Sequence, residues 1–157
     1  DKANVRIATK LLKKDQETGK DIIVVGGGLV GCETGLHLAQ KGKNVTIIDK
    51  LPEVAQGVIF MARFSLLDSL KNKGIKTEGG LRLLEVIDTG IMVEDSEGTK
   101  KRMNCDTVVI ATGLKANDAL YHELKGDFDE IYKIGDCIEA RKFIDANLEA
   151  FLVASDI

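Results

Sequence analysis

The stretch that decides the fold runs from Asp21 to Gly31 and reads DIIVVGGGLVG. It opens with a short, mostly β-branched run, which is typical of a parallel strand buried on both faces. Gly26, Gly28 and Gly31 then fit the pattern GxGxxG. Behind them, the apolar spacing predicts a long helix that ends at Gly42, a common stop residue. A glycine pattern set between a strand and a helix is more informative than the pattern alone.

A second strand completes a βαβ unit. The run Asn44–Ile48 has the composition of a strand and is closed by Asp49, which stands 21 positions after Gly28. Strand, glycine turn, helix, second strand and terminal acid together form the context in which this pattern binds a dinucleotide. The sequence therefore predicts an α/β fold containing a Rossmann-like βαβ domain that binds NAD(P).

The glycine loop is the candidate site for the diphosphate of the dinucleotide. We expect Gly26 to permit the tight turn, Gly28 to let the diphosphate approach the backbone, and Gly31 to let the helix pack on the strand. The free N–H groups and the positive end of the helix attract the anion without a basic side chain. The predicted binding residues are Gly26, Gly28, Leu29, Val30 and Gly31. The alternative is a glycine turn that only packs helix on strand.

Asp49 and Lys50 bear on the choice of nucleotide. A carboxylate at position 49 can accept hydrogen bonds from both hydroxyls of the adenosine ribose, and its charge would repel a 2′-phosphate, which favours NAD(H). Lys50 beside it can accommodate a phosphate, so NADP(H) remains an alternative, although residues 51–56 add no further Lys or Arg. Asp49 can also be read as a solvated acid at the end of a strand.

Three more helices are expected from the apolar periodicity. They cover Val5–Lys14, Val58–Lys73 and Phe143–Ile157. In the second of these, the predicted apolar side consists of Phe60, Phe64, Leu67 and Leu70.

Further strands surround the βαβ unit. The segments Leu81–Ile87 and Ile91–Glu94 alternate across a turn and predict an antiparallel β-meander, which would make the sheet mixed. Asp106–Ala111 is typical of a buried strand, and Ile131–Ile134 predicts a shorter one. The expected architecture is a parallel sheet with an antiparallel meander beside it.

Composition limits the possible partners and compartment. A chain of 157 residues with 44% hydrophobic and 30% charged residues has the make-up of a globular protein, and no apolar run approaches the roughly 20 residues that cross a bilayer. The net charge of −3 argues against nucleic acid as a partner. The three cysteines form no zinc or dithiol motif, so we expect reduced thiols and a cytoplasmic location. The missing initiator Met predicts a segment of a longer chain.

Two later motifs carry a family resemblance. The run Val109–Gly113 reads VIATG, and Ile134–Cys137 reads IGDC. Following the glycine loop in this order, they resemble the pyridine nucleotide-disulfide oxidoreductase superfamily. The continuation Gly135–Lys142, GDCIEARK, is more narrowly similar to the 2,4-dienoyl-CoA reductase and 2-enoate reductase group. Members of that group fuse an old-yellow-enzyme barrel to a module that binds FAD and a pyridine nucleotide.

The resemblance implies a domain plan, because in this superfamily the NAD(P)H domain is inserted into the FAD domain. Residues 1–20 would be a flanking piece of the FAD domain with a linker. Residues 21–112 would be the NAD(P)H-binding Rossmann-like domain, and residues 113–157 the C-terminal piece of the FAD domain. The glycine fingerprint of the FAD domain itself is absent here, so this chain alone should bind FAD poorly.

The resemblance also implies roles for individual residues. Asp136, with Gly135, would lie near the flavin ribityl chain or diphosphate, whereas the residues alone equally suggest a helix N-cap. Glu33 would lie where nicotinamide meets flavin, or would only complement the helix dipole. Thr112 and Gly113 would lie by the nicotinamide ribose, or would form an ordinary turn after a strand. No catalytic residue is assigned beyond the possibility of Glu33.

The predicted function is that of an NAD(H)-binding domain in an FAD-dependent oxidoreductase, with hydride passing from NAD(P)H to FAD. The resemblance further implies FMN, an iron–sulfur cluster and an unsaturated acyl substrate elsewhere in the parent enzyme, so the fragment alone should be inactive. Disulfide reduction is disfavoured because no cysteines are paired. The alternatives are a non-catalytic module that senses NAD(H), and a flavoenzyme akin to NADH oxidase or thioredoxin reductase.

Overall fold

The computed structural model describes residues 2–14 and 16–156. The chain divides into two compact units, one that ends at Thr112 and one that begins at Gly113. Among the described residues, no helix combines the length and the apolar character needed to cross a membrane.

The first unit contains two sheets and three helices. Its strands are β1 (Val5–Ile7), β2 (Asp21–Val25), β3 (Asn44–Ile48), β4 (Lys76–Glu78), β5 (Arg82–Ile87), β6 (Gly90–Glu94), β7 (Lys100–Asn104) and β8 (Thr107–Ile110). Its helices are α1 (Ala8–Lys14), α2 (Leu29–Gln40) and α3 (Phe60–Asn72). The parallel sheet has the order β1-β8-β2-β3-β4, and β5, β6 and β7 form a separate antiparallel sheet.

Strand β2 lies at the centre of the parallel sheet, and its register explains where the glycine loop emerges. Val24 lies beside Ile47 of β3 and Val109 of β8, and all three side chains are fully buried. Burying such an aliphatic side chain stabilises the fold by about 2 kcal/mol. The carboxyl ends of β2, β3 and β8 therefore meet at one rigid edge, directly before the loop.

The two faces of the parallel sheet are covered differently. On one face, Leu11 of α1, Leu38 of α2 and Leu70 of α3 share a buried cluster with Val24. On the other face, Ile91 and Val93 of β6 share a second cluster, which includes Val108 of β8. The predicted α/β fold, with a parallel sheet and an antiparallel meander, is confirmed.

The prediction of a single mixed sheet was wrong. The parallel sheet ends at β4, and the meander stacks on its face instead of extending its edge. Gly79 and Gly80 turn the chain between the two sheets: Gly80 has a φ of +72°, and a β-carbon on Gly79 would lie 2.0 Å from the Pro52 carbonyl oxygen. Only glycine accepts such a turn without strain.

The predicted helix Val5–Lys14 was wrong in its first residues. Val5–Ile7 forms strand β1, which pairs in parallel with β8, and the helix begins at Ala8. The apolar spacing fits a helix over the whole segment, but the exposed edge of β8 offers backbone partners to the first three residues. Residues 2–14 thus pack within the first unit, while their origin in an FAD domain stays a prediction.

The apolar side predicted for α3 was also wrong in part. Phe60 and Phe64 are 69% and 61% exposed and pack edge-to-face against each other. The side chains that reach the core are Leu66, Leu67 and Leu70, in the later turns of the helix. Only this part of α3 lies over the sheet.

The second unit contains α4 (Ala119–Leu124), a short 3₁₀ turn (Gly135–Cys137) and α5 (Phe143–Asp156). The terminal helix is confirmed over its described residues, and Ile157 lies outside them. The strand predicted at Ile131–Ile134 is wrong. Residues 113–156 contain no strand, so this β-branched segment has no backbone partner within its unit.

Candidate functional site

Gly26 turns the chain sharply at the carboxyl end of β2. Its φ is +105°, a conformation that side-chain-bearing residues rarely adopt. A β-carbon here would also lie 2.5 Å from the carbonyl oxygen of Ala111, just beyond β8. The Gly26 N–H donates to the carbonyl oxygen of Ile48, 2.9 Å away, which ties the turn to β3. Glycine at this position is required by the fold itself.

Gly31 lets α2 approach the turn closely. A β-carbon on Gly31 would lie 1.8 Å from the carbonyl oxygen of Gly26 and 3.4 Å from the Ala111 β-carbon. One turn later, a β-carbon on Gly35 would meet the Ile47 side chain at 2.9 Å. These contacts bring the start of α2 against the edge formed by β2, β3 and β8.

Gly28 differs from both neighbours in the pattern because it faces open space. A β-carbon here would have no heavy atom within 4 Å apart from its chain neighbours, and its backbone is extended, with φ −69° and ψ −175°. Neither packing nor backbone conformation requires glycine at this position. The protein therefore leaves the space next to Gly28 open.

The amino end of α2 has the chemistry of an anion site. Gly28 is the N-cap residue, and no side chain caps the helix. The first helical bond within α2 runs from the Cys32 N–H to the Gly28 carbonyl oxygen, so the N–H groups of the first turn have no partner within the helix. Leu29 and Val30, 48% and 44% exposed, carry two of these groups. The helix dipole adds a partial positive charge at this end.

Gly27 is held on both sides by the segment that follows β3. Its N–H donates to Oδ2 of Asp49 at 2.5 Å, and its carbonyl oxygen accepts from the Ala55 N–H at 2.6 Å. Val54 packs so closely that a β-carbon on Gly27 would lie 2.5 Å from its Cγ1. Val54 and Ala55 were not among the residues predicted for the site. The uncommon positive φ of Ala55, +58°, has no signal in sequence.

Asp49 and Lys50 lie at the carboxyl end of β3, as expected. Asp49 is half-buried, and its Oδ1 accepts a hydrogen bond from the Leu51 N–H at 2.8 Å, whereas Lys50 is exposed. Arg63 of α3 was missed as a nearby cation. Its Nη2 lies 2.5 Å from Oε2 of Glu53 and 3.3 Å from the Val54 carbonyl oxygen. This pairing partly neutralises Arg63 beside the segment that follows Asp49.

The structure places Thr112 and Glu33 in different surroundings. The Ala111 N–H donates to the Val25 carbonyl oxygen at 2.8 Å, so Thr112 follows directly on the edge beside Gly26. Glu33 is exposed on α2 and lies beyond its first turn. The reading of Glu33 as a first-turn acid is therefore wrong, and its role near a nicotinamide stays a prediction.

The second unit holds the remaining predicted residues. Gly113 is exposed with a φ of +100°, and Gly135 is buried with a φ of +65°. Asp136 is exposed inside the 3₁₀ turn, whose N-cap is Ile134, so the N-cap reading of Asp136 is wrong. Its place near a flavin stays a prediction.

The turn at Gly135 is held by Glu149, a residue to which the sequence analysis gave no role. The Gly135 N–H donates to Oε2 of Glu149 at 2.7 Å, and Arg141 pairs with the other carboxylate oxygen. The hydrogen bond from Gly135, together with Arg141, lowers the pKa of the Glu149 carboxyl. This support is present at neutral pH and is lost as the pH falls through that lowered pKa.

Cys32 lies beneath the glycine loop and is shielded from solvent. Its Sγ lies 3.4 Å from the Gly27 carbonyl oxygen, and burial raises the pKa of the thiol to about 11. Since the thiolate is the reactive form, we expect Cys32 to be alkylated at least about tenfold more slowly than the half-buried Cys137 at neutral pH. Iodoacetamide labelling followed by peptide mass spectrometry measures both rates. Equal rates would contradict the buried placement of Cys32.

The chain is similar in sequence to known oxidoreductases. Two curated relatives are an NADH oxidase of Thermoanaerobacter brockii, 33% identical, and a cinnamate reductase of Clostridium sporogenes, 31% identical. The matches cover 92% and 96% of this chain, but the chain spans only 22% and 23% of those proteins. A solved structure of 2-naphthoyl-CoA reductase with 2-naphthoyl-CoA shares the fold, with a TM-score of 0.85 at 24% identity. It is matched over 99% of this chain and 24% of its own.

A family model described as pyridine nucleotide-disulphide oxidoreductase matches residues 2–154. The match runs through the glycine loop, the edge at Thr112 and the turn at Gly135. The chain belongs to the pyridine nucleotide-disulphide oxidoreductase family.

Proposed function

We propose that the first unit binds NADH at the glycine loop and serves as the nicotinamide-nucleotide domain of a larger FAD-dependent oxidoreductase. The observation that carries this proposal is the open space at Gly28, which lies at the uncapped amino end of α2. A diphosphate there would accept hydrogen bonds from the N–H groups of Leu29, Val30 and Gly31, and no basic side chain would be needed. The rigid strand edge behind the loop orients the ligand.

The preference for NADH over NADPH rests on Asp49. Its carboxylate uses one acceptor site on each oxygen for Gly27 and Leu51, and further lone pairs remain for the ribose hydroxyls. A 2′-phosphate would meet this negative charge. Arg63 would otherwise offer a counter-charge, but it is already paired with Glu53.

The second unit would contribute to the flavin site of the parent enzyme. NADH and FAD, when bound, supply the hydride donor and acceptor. In this proposal, the Gly135 turn presents the exposed Asp136 carboxylate to a flavin hydroxyl, and Glu149 keeps the turn in place. Residues 1–20 and 113–157 would flank the inserted nucleotide domain. FMN and an iron–sulfur cluster, which the family resemblance implies, would be held by parts of the parent outside this chain.

The candidate activities of the parent enzyme differ in the final acceptor of the electrons. The relative named cinnamate reductase favours an unsaturated carboxylic acid, and the relative named NADH oxidase favours dioxygen. Disulfide reduction is less favoured, because Cys32 and Cys105 are buried and all three cysteines are unpaired. We propose an unsaturated acyl substrate for the parent enzyme, in keeping with the similarity of the GDCIEARK segment.

Calorimetric titration of the chain with NADH, NADPH and ADP-ribose tests the binding proposal. We expect NADH to bind about tenfold more tightly than NADPH, because one repulsive contact costs on the order of 1.4 kcal/mol. ADP-ribose should bind nearly as well as NADH, since the glycine loop and Asp49 contact only that half of the dinucleotide. The absence of any binding heat or fluorescence change with all three ligands would refute the proposal.

A further inference from the structure

The carboxylate of Asp49 is a structural acceptor for the glycine loop. Oδ2 accepts from the Gly27 N–H at 2.5 Å, and Oδ1 accepts from the Leu51 N–H at 2.8 Å. Asp49 therefore joins the loop at the end of β2 to the segment that leaves β3. A charged acceptor makes both hydrogen bonds stronger than a neutral one would.

The next peptide unit, between Gly27 and Gly28, is held by the same segment. Residues 51–57 fold back so that Ala55 donates its N–H to the Gly27 carbonyl oxygen at 2.6 Å. Ala55 is fully buried in a left-handed conformation, which a residue other than glycine keeps only where its surroundings hold it. Val54 is also buried against Gly27. The peptide units before and after the Gly27 α-carbon are thus each held by a hydrogen bond.

We propose that Asp49 is a positioning residue for the diphosphate loop, in addition to any contact with the ribose. By holding the Gly27 peptide, the carboxylate sets the position of Gly28 and of the first N–H groups of α2. The proposal rests on the proposed function for the identity of the ligand, but its structural part concerns the ligand-free loop. Two of the roughly four acceptor positions of a carboxylate remain for ribose hydroxyls, so one side chain serves both tasks.

The positioning role and simple electrostatics predict opposite changes in anion affinity when the charge of Asp49 is removed. A negative charge beside a diphosphate site repels the ligand, so removing it should strengthen the binding of an anion. Loss of the hydrogen bond to Gly27 should instead weaken binding, because the loop is no longer pre-organised. A ligand without ribose hydroxyls separates these effects from direct recognition of the ribose.

The test uses Asp49→Asn and two ligands, ADP-ribose and its analogue lacking both the 2′ and 3′ hydroxyls of the adenosine ribose. The amide oxygen of asparagine accepts from one of the two N–H groups, while its NH₂ group opposes the other. We expect the affinity for the dideoxy analogue to fall about tenfold, the loss of one charged hydrogen bond. Asp95→Asn is the matched control. The Asp95 carboxylate also accepts hydrogen bonds from two backbone N–H groups, those of Glu97 and Thr99, but it lies in the turn between β6 and β7.

Two further measurements need no ligand, and the first of them needs no variant. In the unaltered chain labelled with ¹⁵N and ¹³C, we expect a scalar coupling across the hydrogen bond between the Gly27 nitrogen and the Asp49 carboxylate carbon. We also expect slow exchange of the Gly27 amide proton that becomes faster in Asp49→Asn and not in Asp95→Asn. These signals report on the loop even if Asp49→Asn is too unstable for titration.

The outcomes distinguish the positioning role of Asp49 from the proposed binding of a dinucleotide. Unchanged or tighter binding of the dideoxy analogue by Asp49→Asn, or absence of the coupling to Gly27, would overturn the positioning role. If the unaltered chain binds neither ligand but the coupling is present, the proposed function fails and the structural part of the inference stands. Loss of affinity for ADP-ribose alone would assign Asp49 to ribose recognition only, against the positioning role.

Discussion

Replacing Gly28 by valine is expected to abolish NADH binding while leaving the first unit folded. The extended backbone of Gly28 suits a β-branched residue, and its surroundings contain no protein atom that valine would meet at the β-carbon. The side chain would instead fill the space through which the diphosphate reaches the N–H groups of α2. We expect at least about a hundredfold loss of affinity, since the anion then loses two or more hydrogen bonds of about 1.5 kcal/mol each.

Calorimetric titration with NADH, together with circular dichroism and thermal unfolding, measures both parts of this prediction. Gly126→Val is the matched control, because Gly126 also faces open space but lies in the second unit. Its affinity should equal that of the unaltered chain. Retained affinity in Gly28→Val would remove the glycine loop as the nucleotide site.

Replacing Gly31 by alanine is expected to destabilise the first unit by about 3 kcal/mol, the upper part of the usual range for overpacking. The new methyl group would lie 1.8 Å from the Gly26 carbonyl oxygen, so either α2 or the turn must move. The Gly26 turn has no room to yield, because it is packed against the Ala111 carbonyl group. Such a loss is a large part of the 5–15 kcal/mol that stabilises a typical domain.

Urea unfolding of Gly31→Ala and Gly28→Ala measures the contrast between the two glycines. At Gly28 we expect a change within about 1 kcal/mol, because alanine reduces the freedom of the unfolded chain but is a poorer N-cap than glycine. Similar unfolding free energies for the two variants would contradict the close approach of α2 to the Gly26 turn. Weaker NADH binding by Gly31→Ala alone carries no such information, since an unfolded site binds nothing.

The structure separates the three glycines of one sequence pattern into two kinds. Gly26 and Gly31 are required by the polypeptide itself, as the positive φ of one and the contact between the two show. Nothing in the protein requires glycine at position 28, and this is why we propose that its space receives a ligand. The pattern predicted these three roles, but only the backbone conformation and the distances in the folded chain distinguish them.

Two of the predictions that failed have a common cause. Val5–Ile7 has helical spacing, yet it forms a strand because β8 offers a free edge more than 100 positions later. Ile131–Ile134 has strand composition, yet no strand in the described part of its unit offers a partner. In both segments, the presence or absence of a distant backbone partner outweighs a weak local preference.

The sequence by itself determined the βαβ unit, the position of the glycine turn and the acid that ends β3. These features follow from local periodicity and from turns that only glycine can make, and such signals lie within a few residues of the structure they produce. Only the tertiary structure decided that the meander forms a second sheet and that the backbone N–H and C=O of Gly27 are held by Asp49 and Ala55. These arrangements depend on contacts between residues more than 20 positions apart, and no local pattern encodes those distances.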